Sequence, residues 1–106
     1  MPMNLQIEVR TAEEFVQVVP IGEIDVYSAP AFKEELFTVI QNTKKNLVID
    51  GEKLDYIDST GLGVLIGGLK RMREKGLSIT ITGLNPNIYK LFTITALDKP
   101  FNIKGA

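Results

Sequence analysis

The residues able to do chemistry are concentrated in one stretch, Asp55-Tyr56-Ile57-Asp58-Ser59-Thr60-Gly61-Leu62-Gly63-Val64-Leu65-Ile66-Gly67-Gly68. It sets two hydroxyls beside carboxylates and follows them with glycines. Glycines next to hydroxyls first suggest a nucleotide site, and both common forms fail on spacing. A dinucleotide fingerprint is G-x-G-x-x-G, whereas Gly61 and Gly63 are followed by Ile66, and the next glycine is Gly67. A phosphate-cradling loop ends in Gly-Lys-Ser/Thr, whereas Gly68 is followed by Leu69 and Lys70. Nucleophilic catalysis fares no better. The 106 residues include no histidine and no cysteine, which removes imidazole acid–base chemistry, Ser-His-Asp hydrolysis, thiolate attack and zinc–thiolate sites. No lysine stands beside Ser59 to activate its hydroxyl. The expectation is a protein that is not an enzyme, with no catalytic residue, no cofactor and no metal.

Ser59 stands where a helix should begin, and two roles fit it. As an N-cap it would be worth about 1 kcal/mol over alanine. As a switch, its hydroxyl would carry a phosphate, which a helix start accommodates through unpaired N–H groups and a positive dipole end. Asp58 is adjacent and Asp55 close by; Glu23 and Asp25 would join them if their strand ends on the same rim. A charge of about −1.5 to −2 placed among carboxylates would disturb any partner surface there. Gly63, Gly67 and Gly68 fall inside the helix, where each costs roughly 0.5–1 kcal/mol against alanine. They suit close packing on a sheet, close approach of a partner, or both. Asp25 reads equally as a turn residue, and Tyr27 as a packed ring or a partner contact.

The elements that must position these groups follow from periodicity. Leu5, Ile7 and Val9 alternate with polar residues, so a half-buried strand is expected over Met1–Arg10. Thr11–Glu14 turns the chain into a second strand, Phe15–Ile21, hairpin-paired to the first, with Pro20 near its end or facing an edge. Ser28-Ala29-Pro30 opens a helix by cap and proline, with Phe32, Leu36, Val39 and Ile40 on one face. Leu47-Val48-Ile49 reads as a buried parallel strand. A second helix runs from Ser59 to about Lys75 and closes at Gly76, burying Leu62, Leu65, Ile66, Leu69 and Met72. Ser78–Thr82 is a further strand, Asn85-Pro86 opens a third helix with Ile88, Leu91 and Phe92 inward, and Phe101–Ile103 suits a last edge strand. Strands alternating with helices imply right-handed crossovers onto a mostly parallel sheet.

Composition sets the broad class. The length suits one domain over residues 1–106, and no disulfide or metal staple is needed at that size. A net charge of −1 argues against nucleic acid, which calls for a basic surface. The charge is uneven: residues 1–58 hold eleven acids and five bases, net −6, and residues 59–106 two acids and seven bases, net +5. The basic run Lys70-Arg71-Arg73-Lys75 suits the negative end of the second helix. The uncharged run Gly61–Leu69 is nine residues, against roughly 20 for a membrane span. No signal peptide is expected, and the location expected is cytoplasmic.

Three segments carry a family resemblance: Gly22-Glu23-Ile24-Asp25-Val26-Tyr27-Ser28-Ala29-Pro30, then Tyr56-Ile57-Asp58-Ser59-Thr60-Gly61-Leu62-Gly63-Val64, then Leu91-Phe92-Thr93-Ile94-Thr95-Ala96-Leu97. In this order they resemble the bacterial anti-sigma factor antagonists of the STAS superfamily, general-stress type, from about Asn4 to Ile103. The resemblance implies an α/β fold: one STAS-like domain with a small mixed sheet of about 4–5 strands and helices largely on one side. It implies partner switching in transcription control. The unphosphorylated protein binds an anti-sigma factor that is also a serine kinase and frees the sigma factor. Phosphorylation from ATP abolishes binding, and a PP2C-type phosphatase reverses it. Ser59 matches the phosphoacceptor and Asp25 the acidic residue near it; Asp58 and Gly61 match the flanking motif, and Thr60 is a lesser acceptor. The partner surface so implied comprises Glu23, Asp25, Tyr27, Ser28, Asp58, Ser59, Thr60, Gly61 and Leu62, on a protein monomeric when free. Gly51, Asp55 and Ala96 depart from the family pattern, Ala96 at a common glycine. The alternative is a STAS module in another stress-signalling or lipid-transport assembly, without sigma-factor partner switching.

Overall fold

In the computed structural model, residues 4–104 are described. The chain alternates strand and helix: β1 (Leu5–Thr11), β2 (Phe15–Ile24), α1 (Ala29–Asn42), β3 (Asn46–Asp50), β4 (Leu54–Ile57), α2 (Ser59–Glu74), β5 (Ile79–Thr82) and α3 (Pro86–Ile94). The part of the first expected strand at Met1–Met3 lies outside the described residues.

The sheet has five strands in the order β1-β2-β3-β5, with β4 also paired to β2. β1 and β2 form the expected antiparallel hairpin, while β3, β4 and β5 are parallel to their neighbours, so the sheet is mixed. β2 is longer than the apolar run suggests and serves two strands on one side. Its first half pairs β3 as far as Val18↔Ile49, and its last three residues pair β4 from Gly22↔Leu54. This corrects the placement of Pro20. It lies within the strand, opposite Ile7 of β1, in the short stretch between the β3 and β4 ladders. A proline lacks the donor a continuous ladder needs, and here the ladder is interrupted.

The helices and strands β2 to β5 bury one face each in a common core, against which Leu5 and Ile7 of β1 pack partly buried. From α1 come Phe32, Leu36 and Ile40, and from α2 come Leu62, Leu65, Leu69 and Met72, packed on Val16, Val18, Ile24, Leu47, Ile49, Ile57, Ile79 and Ile81 of the sheet. Val39, Ile66 and Leu91, expected inside, are only partly buried at the rim of this core. α2 lies close on its neighbours because of two of its glycines. A Cβ on Gly61 would stand 2.7 Å from both Ile24 and Ile57, and one on Gly68 would stand 3.1 Å from Leu36 and Ile40.

The ends of the helices are capped by bonds that can be named. The α2 C-terminus closes on Gly76 at φ +73°, with Gly76 N–H donating to the Arg73 carbonyl and Leu77 N–H to that of Met72. That is the left-handed termination expected of the sequence. The Lys75 ammonium crosses to the C-terminus of α1 and donates to the Ile40 and Thr43 carbonyls. Asn85 caps α3 by accepting from Ile88 N–H at 2.9 Å. The last expected strand is not one. Phe101–Ile103 forms a turn with a single bridge, Ile81↔Ile103, and Phe101 fills the core edge-on to Phe92 at 5.9 Å between ring centroids.

Candidate functional site

β2 and β4 are parallel and finish side by side, with Ile24 opposite Ile57. Asp58 N–H then donates to the Ile24 carbonyl at 3.1 Å. The loop that enters α1, Asp25 to Ser28, is thereby set against the first residues of α2. β4 itself escapes sequence reading because it is four residues long and irregular. An extra residue, Asp55, sits between Leu54 (paired with Gly22) and Tyr56 (paired with Glu23), and the period-two signal is lost.

The cap of α2 is Asp58 and not Ser59. Its carboxylate accepts from Thr60 N–H at 2.9 Å and Gly61 N–H at 3.2 Å, and the Thr60 hydroxyl donates to the same oxygen. These bonds favour the ionised form. The Thr60 hydroxyl foremost, outweighing the opposing effect of burial and joined by lesser contributions from the N–H groups of Gly61, Thr60 and Val26, holds the Asp58 carboxyl below its ordinary value of 3.8. The free N–H groups that a phosphate would have met at this helix start are therefore already occupied by a carboxylate.

Ser28 is likewise not the side-chain cap of α1, although the helix starts where its motif places it. The loop ahead of the helix is tied instead by Asp25, whose carboxylate accepts from Tyr27 N–H at 2.9 Å and Ser28 N–H at 3.0 Å. The Ser28 hydroxyl is 1% exposed, donates to the Glu23 carbonyl at 2.8 Å and accepts from Asp25 N–H at 2.9 Å. Asp25 is thus the turn residue that one reading of the sequence made it, and it is on the rim that the other required. Glu23 is tied sideways to the start of β1, accepting from the Asn4 amide at 2.7 Å.

Ser59 occupies the first helical position, exposed, and among the described residues its hydroxyl makes no hydrogen bond. The other two hydroxyls of the motifs are engaged: Thr60 to Asp58, and Ser28 in the loop network. Gly61 and Leu62 are buried, so their side of α2 faces the core and offers no contact surface; Ser28 is excluded in the same way. These three residues hold the rim's shape instead. The ring of Tyr27 is 70% exposed. Two apolar residues missing from the sequence-based list stand with it, Val26 at 58% and Tyr56 at 49%. Val26 had a signal, being a large apolar residue inside a turn; Tyr56 had none until the β2–β4 register was known.

The rim presents one exposed hydroxyl, Ser59, at the start of α2 next to Asp58, with the loop carrying Asp25, Val26 and Tyr27 beside that carboxylate. Residues 6–105 match the family described as STAS domain. The chain belongs to the STAS domain family. It is 38% identical over 95 residues to a Staphylococcus aureus protein named anti-sigma-B factor antagonist, covering 90% of this chain and 88% of that one. A Listeria monocytogenes protein of the same name is 36% identical over 106 residues, covering 97% and 91%. Among solved STAS structures, an anti-sigma factor antagonist from Mycobacterium paratuberculosis superposes with a TM-score of 0.85 at 23% identity, over 96% of this chain and 86% of that one. The last likeness concerns the fold alone. Among the described residues, no helix of this STAS chain is long and apolar enough to cross a membrane.

Proposed function

We propose that the chain is an anti-sigma factor antagonist whose hold on an anti-sigma factor is switched by phosphorylation of Ser59. The observation that carries this is the state of its three candidate hydroxyls. Ser59 is exposed and free of internal hydrogen bonds, whereas Thr60 is bonded to the capping Asp58 and Ser28 is buried. The names of the Staphylococcus and Listeria relatives support the partner class.

The unphosphorylated rim binds an anti-sigma factor that is also a serine kinase, through Asp25, Asp58, Ser59, Thr60 and the exposed faces of Val26, Tyr27 and Tyr56. The kinase transfers the γ-phosphoryl group of ATP to Ser59 Oγ; a P–O bond forms there, the hydroxyl proton leaves, and ADP departs. The new phosphate finds the Thr60 and Gly61 N–H groups taken by Asp58. It therefore stays outward, among carboxylates, and opposes the partner. A differential of about 3–4 kcal/mol weakens binding by roughly a hundred- to a thousand-fold, which suffices to dissociate a working complex. A PP2C-type phosphatase hydrolyses the phosphoserine and restores the first state. The protein acts in the cytoplasm as a monomer when free.

The test is phosphorylation by the anti-sigma factor kinase of the same genome with Mg-ATP, followed by mass spectrometry. Phosphate on Ser59 is expected. Phosphate on Ser28, or on Thr60 alone, would refute the assignment.

A further inference from the structure

A groove of about 500 Å³ runs between α1 and α2, beginning at Thr60 beside the Ser59 site. Its floor is laid by glycine. Gly67 lies 3.2 Å, measured from where a Cβ would be, from the ring of Phe37, so internal packing accounts for it. Gly63 is different: a Cβ there would meet nothing within 4 Å. No neighbour within 4 Å requires a glycine at that exposed mid-helix position, which leaves its backbone open to close approach from outside. The groove's walls are basic. The Lys33 ammonium lies 5.5 Å and the Arg71 guanidinium 4.6 Å from the centroid of the Phe37 ring, one from each helix. No carboxylate lines the groove, and among the described residues the one ion pair is Arg10–Glu8, on β1. Both cations are therefore available to a visitor.

We infer that this groove is a second docking element for the anti-sigma factor and takes an acidic segment of it, with carboxylates on Lys33 and Arg71 and backbone laid over Gly63. The inference rests on the functional reading above. Charge complementarity selects the occupant: the groove carries Lys33 and Arg71 and no carboxylate, so what fills it is acidic. The arrangement also gives phosphorylation a direct point of action. A phosphate on Ser59 places negative charge at the mouth of a groove whose occupant is itself negative.

The experiment is calorimetric titration of the anti-sigma factor kinase, without ATP, into the wild type and into Lys33→Glu, Arg71→Glu, Gly63→Leu and Lys44→Glu, at low and high salt. Thermal melts check that each variant is folded. Lys44 lies beyond the opposite end of α1 and serves as the control. Each groove variant should lose about tenfold or more in affinity, Lys44→Glu should bind as the wild type does, and the two charge reversals should flatten the salt dependence. Wild-type binding with unchanged affinity in the folded groove variants would overturn the groove and leave the antagonist reading standing. Loss on Gly63→Leu with neither charge reversal having an effect would overturn the acidic occupant. A wild type that does not bind the kinase would overturn both.

Discussion

A single carboxylate, Asp58, takes the capping duty at the start of α2 and leaves Ser59 free for the switching duty proposed for it. Because it takes the cap, Ser59 is released from stabilising the fold, and the two residues should behave oppositely when changed. Asp58→Ala removes three bonds to one oxygen and should cost about 1–2 kcal/mol. Ser59→Ala should stay within about 0.5 kcal/mol of the wild type, as an exposed substitution without a partner does. The Asp58 contribution also carries a pH signature. Its carboxyl is held below 3.8 in the folded state, so the unfolded chain binds protons more readily. The stabilisation is present in full above the unfolded value and is lost as pH falls through the folded one. Melting curves of wild type and Asp58→Ala should differ at neutral pH and converge in strong acid. A gap that persisted or widened in strong acid would mean that the ionised carboxylate is not what holds the helix start.

Helix ends and helix glycines show how far element-level properties are legible from sequence. Gly76 marks the end of α2 correctly because a left-handed residue is the one thing that position demands. Ala96 has the same duty at the end of α3, at φ +58°, with Ala96 N–H donating to the Thr93 carbonyl and Leu97 N–H to that of Phe92. Glycine adopts that backbone freely, and alanine bears the strain. Ala96→Gly should therefore raise stability by about 1 kcal/mol, a rise of several degrees in melting temperature. The glycines inside α2 look alike in sequence and are not alike in space. Gly61→Ala should destabilise, since its Cβ would meet Ile24 and Ile57 at 2.7 Å. Gly63→Ala should stabilise by about 0.5–1 kcal/mol, since its surroundings are open. If denaturant midpoints moved the same way in both variants, packing would not be what distinguishes them.

For the molecule as a whole, the motifs located the rim, while long-range pairing decided what the rim is made of. The helices, the hairpin and the parallel strand at Leu47–Ile49 were readable because their apolar spacing is regular. β4 was not, because its bulge breaks the alternation, and with it Tyr56 was lost as a surface residue. Pro20 was misplaced because no local pattern reveals that β2 changes partners beside it. Gly51, expected to depart from the family pattern, sits against residues more than 30 positions away: a Cβ there would lie 2.5 Å from the Leu84 side chain and 3.1 Å from the Thr82 carbonyl oxygen. Ser28, Gly61 and Leu62 were drawn into the partner surface by their motifs, whose burial only the packed core discloses. What we propose for the assembled rim is a local electrostatic switch on an unchanged scaffold. The most direct measurement is titration of the anti-sigma factor kinase with the unphosphorylated protein and with protein phosphorylated at Ser59, alongside circular dichroism of both. Affinity should fall by roughly a hundred- to a thousand-fold with superposable spectra; equal affinity for the two forms would contradict the switch.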